Sequence, residues 1–156
     1  MFEIHGGLVA NGTILFTRQI GVHTQPELRL GILRVVSTFK DHPLLPEIVD
    51  LSAIRDSELN FRTSNALVDT ILPHIEPPRT SPKKRIAMYA PSGTMFGMAR
   101  IYASLLEAKD TNIECMVCRT EAEALAYLDR PETGFAELEG FDRVGPLPPL
   151  ESASGL

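Results

Sequence analysis

The chain has 156 residues, 15 basic and 20 acidic side chains, a formal charge of −5 and 44% hydrophobic residues. That length suits one domain able to bury roughly 70% of its unfolded surface, and the composition excludes a wholly disordered chain. No apolar run reaches the ~18 residues of a transmembrane helix, and the opening MFEIHGG lacks a secretory leader's layout, so a cytoplasmic protein is expected.

Residues 2–9 and 13–17 read as β-strands flanking Asn11-Gly12, a strong hairpin signal. Gly6-Gly7 weakens the first arm and suggests a bulge or turn there. Thr24-Gln25-Pro26-Glu27 then offers a cap and an early proline, and Leu28, Ile32, Val35 and Phe39 recur on one helical face until His42-Pro43. Residues 45–51 form a short buried-strand candidate ending at an acid. Leu67, Val68, Ile71, Leu72 and Ile75 make a second helical stripe that Thr63 or Ser64 could cap. The apolar run 86–90 reads as a central strand covered on both faces. Behind Pro91-Ser92-Gly93-Thr94, a third helix carries Met95, Met98, Tyr102 and Leu105. Residues 113–118 are the last strand, and Thr120-Glu121-Ala122-Glu123 is a capping box opening a fourth helix that ends near Pro131.

The order β-β-α-β-α-β-α-β-α contains three strand–helix–strand crossovers. It predicts an α/β fold with a mostly parallel sheet, an N-terminal edge hairpin and four helices. The predicted domain covers residues 1–131. Residues 132–156 form an acidic tail with five acids against Arg143 alone. It is expected to be largely irregular and to lie on the body through Phe135, Leu138, Phe141, Leu147 and Leu150, and its deletion is expected to leave the fold intact. The body alone is nearly neutral, with one basic cluster at Arg79, Lys83, Lys84 and Arg85. Without a broad basic face, no nucleic-acid partner is expected.

Catalytic motifs do not emerge. Cys115 and Cys118 have C-x-x-C spacing, but inside a strand they face opposite sides of the sheet, as structural thiols. The histidines His5, His23, His42 and His74 show no metal spacing, and no G-x-S-x-G, Walker or dinucleotide loop occurs. No metal, cofactor or enzymatic activity is expected. Ser92-Gly93-Thr94 opens a helix whose N–H groups could hold an anion, although an ordinary cap is the simpler reading. Asp50 reads as an Asx-type cap at a strand end rather than a phospho-acceptor, because the early strands carry no acidic pair for magnesium.

The stretch Asp50-Leu51-Ser52 through Asn60, a strand ending in D-L-S before a polar connection and a helix, resembles the loop region of STAS domains, the anti-sigma-factor antagonist family related to SpoIIAA. The opening hairpin, the 86–90 strand, the helix Met95-Phe96-Gly97-Met98-Ala99-Arg100 and the segment Glu123-Ala124-Leu125-Ala126-Tyr127-Leu128 extend the resemblance to small bacterial SpoIIAA-like proteins over residues 2–130. The resemblance implies a non-catalytic binding or regulatory domain meeting a protein partner or small ligand around Asp56, Ser57, Asn60, Thr63 and Ser64; Ser92 and Thr94, at the start of the third helix, are further binding candidates on their own account. It also implies a departure. The positions of the family's Asp-Ser-Ser-Gly motif hold Glu58, Leu59, Asn60 and Phe61, so the phosphoserine site is an asparagine without a hydroxyl. The alternative is an apolar-ligand (lipid) or peripheral membrane role, suggested by the all-round apolar third helix. An edge hairpin leaves a homodimer among the expectations.

Overall fold

In the computed structural model, residues 1–150 are described; the terminal segment 151–156, including Glu151, lies outside them. Strands β1 (Phe2–Val9) and β2 (Ile14–His23) form the hairpin, and helix α1 (Gln25–Thr38) leads to β3 (Glu47–Ser57). Helix α2 (Phe61–Ile75), β4 (Lys84–Tyr89), α3 (Gly93–Ala108), β5 (Ile113–Cys118) and α4 (Glu121–Tyr127) follow. A two-residue strand β6 (Gly145–Pro146) completes a six-stranded sheet of order β5-β4-β3-β2-β1-β6. β2 to β5 are parallel; β1 runs antiparallel to both its neighbours.

Alternation along the strands splits the core. On one face Phe16, Ile48, Ala87 and Cys118 meet Leu125 and Leu128 of the α4 region. On the other, Val49, Ile86, Met88 and Ile113 meet α2 and α3, while Leu15 meets Val35 of α1. Uniform right-handed crossovers put α1, α2 and α3 on this second face. No described helix is long and apolar enough to cross a membrane.

Several local expectations change. The hairpin loop spans residues 10–13 rather than Asn11-Gly12 alone, with Ala10, Asn11 and Gly12 all at positive φ. Gly6 and Gly7 lie in regular ladder. A Cβ on Gly6 would stand 3.1 Å from Leu147, and one on Gly7 3.3 Å from the Val144 backbone, so this pair makes room for the segment around β6. The irregularity sits in β2, where register shifts fall between Arg18 and Ile20 and between Gly21 and Val22. Gly21 has φ +106°, and a Cβ there would collide with the Met1 carbonyl. β2 and β3 both run six residues past their expected ends, to His23 and Ser57. Asn60, not Thr63 or Ser64, caps α2, with Thr63 answering it in a capping box. At α4 the Glu123 carboxylate accepts from the Thr120 hydroxyl, while Thr120 accepts from the Glu123 N–H.

Residues 132–150 are tied to the body. Phe135 and Leu138 are buried among the side chains beneath α4, within short 3-10 turns and their flanks. Phe135 meets Phe16 and Tyr89 edge-on at 5.1 and 5.4 Å between ring centroids. The Glu139 carbonyl and carboxylate accept from the Ala10 and Asn11 N–H groups. The segment then rounds the sheet edge through β6, and Leu147 joins Ile4, Leu15 and Val35 on the opposite face.

Candidate functional site

The residues expected to bind are mostly engaged in local hydrogen bonds. Asp56 Oδ1 accepts from the Ser57 N–H, and Ser57 Oγ accepts from the Leu59 N–H. Asn60 and Thr63 exchange bonds of 2.8 and 2.9 Å across the α2 N-terminus, so the residue at the phosphoserine position serves as a helix cap. Ser92 caps α3 by accepting from the Met95 N–H, and Thr94 stands exposed in the same first turn. Phe61 is an exposed aromatic, at 64%. Ser64 differs from all of these: it is buried and faces inward.

What Ser64 faces is a cavity of about 280 Å³ between the sheet and helices α1, α2 and α3. Its floor follows strand alternation: Leu15, Thr17, Gln19 and His23 from β2, Glu47, Val49 and Leu51 from β3, and Lys84, Ile86 and Met88 from β4. The roof is the apolar stripe of each helix, with Leu28, Ile32 and Val35 from α1, Leu67 from α2, and Met95, Met98 and Tyr102 from α3. These stripes are the helical periodicities read from the sequence. They do not close fully on the sheet.

Polar groups sit at the two ends. At the amino ends of the strands, Lys84 Nζ lies 3.5 Å from Glu47 Oε1, with both side chains largely buried. Thr17 Oγ1 is 3.3 Å from Glu47 Oε2. Burial, with Cys115 and Glu47 nearby, pushes the Tyr102 phenol well above its ordinary value. The exposed members of the lining are Lys40, His42, Pro43 and His74, which mark the mouth beyond the C-terminal end of α1 and near that of α2.

At the other end His23 is only 3% exposed. Its Nε2 lies 2.6 Å from Gln19 Oε1, and its Nδ1 has no hydrogen-bond partner. Burial lowers its pKa from 6.5 to about 4, so the ring is neutral near pH 7. Sequence reading missed this site because it weighed His23 only as a metal ligand and ended the strand that carries it at Thr17. The available signal was the polar series Thr17, Gln19, His23 at even spacing next to an apolar helix stripe.

Elsewhere the chemistry is structural. Asp50 lies inside β3, not at its end; Oδ2 accepts from Arg18 Nε at 2.9 Å and Oδ1 from the Ser52 N–H at 2.9 Å, keeping the Asx bond but adding a buried ion pair. Cys115 and Cys118 join cores on opposite faces of the sheet. Burial raises their thiols to about 12 and about 11. In the basic cluster, Arg79 pairs with Glu76, Lys84 with Glu47 and Arg85 with Asp129; among the described residues only Lys83 of the four has no such pair. No group of three or more His, Cys, Asp and Glu side chains is gathered as metal ligands among the described residues.

No protein-family model matches the chain, and no curated protein matches it. Among solved structures it is similar to an uncharacterised protein of the DUF3478 family with a SpoIIAA-like fold from Shewanella loihica PV-4. The identity is 14% over 82% of this chain and 95% of that one, with a TM-score of 0.47.

Proposed function

We propose that this chain is a non-catalytic binding domain whose ligand is small, mainly apolar and elongated, held between the sheet and α1–α3. The cavity carries this reading. Its volume of about 280 Å³ lies near the lower end of ligand sites, roughly 300 Å³. A dry cavity of ~150 Å³ takes benzene, so proportion suggests roughly eleven non-hydrogen atoms. The lining runs along one strand from Leu15 to His23, with polar groups at its two ends and apolar side chains between them, which suits a chain with an apolar body. Four flexible methionine and tyrosine side chains, Met88, Met95, Met98 and Tyr102, border the cavity and can adapt to a flexible guest.

A non-catalytic role is supported by how the reactive groups are used. His23 bonds Gln19 rather than a hydroxyl or thiol, and the two thiols are held protonated by burial. The test is titration with 1-nonanol and with its isomer 1-methoxyoctane, followed by backbone amide NMR. Saturable one-to-one shifts are expected along β2, α1 and α3. Ala99→Phe, which places a ring into the lining, should abolish them while the protein stays folded. Absence of saturable shifts with either compound, or unchanged binding in Ala99→Phe, refutes the proposal.

A further inference from the structure

Building on that reading, we infer that His23 is the specificity-determining residue of the cavity and that it selects ligands bearing a hydrogen-bond donor, such as a terminal hydroxyl. A carbonyl oxygen only accepts, so the contact of His23 Nε2 with Gln19 Oε1 at 2.6 Å puts the ring hydrogen on Nε2. A neutral imidazole then keeps its lone pair on Nδ1. That atom is buried, lies in a residue of the lining and has no protein partner. A buried acceptor without a donor is uncommon in native proteins, because water was given up and nothing replaced it. A guest whose donor reaches Nδ1 satisfies this atom, whereas a pure hydrocarbon or an ether leaves it unsatisfied.

The surroundings fit a neutral donor and not an anion. Val49, Leu51 and Met95 border the cavity beside Gln19, Ser64 and His23, and its lysines, Lys40 and Lys84, belong to the opposite end. A carboxylate at the His23 end would face the Nδ1 lone pair in a largely apolar enclosure, which opposes both charge and burial. An alkyl chain with a hydroxyl on Nδ1 and its remaining carbons toward the mouth matches the apolar roof and this polar end together.

The isomers 1-nonanol and 1-methoxyoctane separate the possibilities, since both have the same atoms and only the alcohol donates. In the wild-type protein, 15N NMR of the imidazole should show the Nδ1 signal moving on saturation with 1-nonanol and holding with 1-methoxyoctane. The ratio of their dissociation constants should shift toward the ether by roughly two- to tenfold in His23→Leu, the range for losing one hydrogen bond. If both isomers bind and Nδ1 stays unmoved by the alcohol, the inference is wrong while the binding function stands. It is equally overturned if His23→Leu keeps the wild-type ratio, which would put the hydroxyl at the Glu47 end. If neither isomer binds, the cavity reading itself falls.

Discussion

Acidification offers a quantitative probe of His23. In the folded protein burial lowers the ring's pKa from 6.5 to about 4, so the unfolded chain takes up its proton first as pH falls. Between these values the unfolded state holds more protons, and stability must rise with pH. The contribution is therefore fully present above pH 6.5 and is lost as pH drops through that window toward 4. The displacement corresponds to about 3 kcal/mol in all, at about 1.4 kcal/mol per pH unit, with about 2 kcal/mol falling between pH 7 and pH 5. That is a large share of the 5–15 kcal/mol that typically holds a domain together. Urea denaturation at pH 7, 6 and 5 for wild type and His23→Phe isolates the effect, because carboxylates common to both proteins cancel in the difference. The variant starts less stable, since Gln19, itself buried, loses its partner. Its stability should nevertheless fall by about 2 kcal/mol less than that of wild type on going to pH 5. Parallel losses in the two proteins would mean that His23 does not resist its proton, and would remove the neutral ring from the ligand argument.

Three further experiments address the rest of the fold. Phe135→Ala should cost about 3–5 kcal/mol in urea denaturation, because Phe135 is buried against Phe16 and Tyr89. A chain ending at Pro131 should for the same reason unfold without cooperativity, contrary to the expectation from composition. Cys115 and Cys118, with pKa values near 12 and 11, should react with a disulfide reagent at pH 8 only slowly in native protein and rapidly in urea. Fast native labelling would show that the β5 region opens far more readily than its burial implies.

Periodicity carried the sequence reading wherever an element faces one uniform environment. Residues 113–118 form β5 at the expected positions, with Ile113, Cys115 and Val117 entering the core on one face while Glu114 and Met116 stand exposed on the other. The helix stripes are found where Leu28, Leu67 and Met95 put them. Boundaries failed where a backbone stays extended without apolar alternation to announce it. Beyond Asp50, β3 pairs with β2 alone and exposes Ser52, Arg55 and Asp56, so its second half reads as loop. Residues 132–150 are irregular and lie on the body through Phe135, Leu138, Phe141 and Leu147, as their composition suggested. Their apolar residues are spaced for neither helix nor strand, because 3-10 turns deliver them singly into a core made by other elements. Of the candidate binding residues, Ser64 alone reaches the cavity, and its burial depends on Asn60 rather than Thr63 or Ser64 starting the helix.

The same polar residues hid both the strand and the site. Thr17, Gln19 and His23 alternate with Phe16, Arg18 and Ile20, so a reader seeking apolar alternation ends β2 at Thr17. The strand continues to His23 because hydrogen bonding in the ladder to β1 and β3 is indifferent to side-chain polarity. The consequence falls on the helices. An apolar roof closes tightly over an apolar floor, but threonine, glutamine and histidine there require polar partners within a layer that α1–α3 supply mainly with leucine, isoleucine and methionine. Gln19 and His23 answer each other, and Thr17 answers Glu47 or the Ile48 carbonyl. One buried atom, Nδ1 of the lining residue His23, is left over. Replacing the three by apolar residues would make the pattern regular and the strand legible, and it would remove every polar group that β2 offers a guest. A break in binary pattern that disfavours tight closure, and is only partly satisfied within the chain, is what the proposed ligand site requires of this strand.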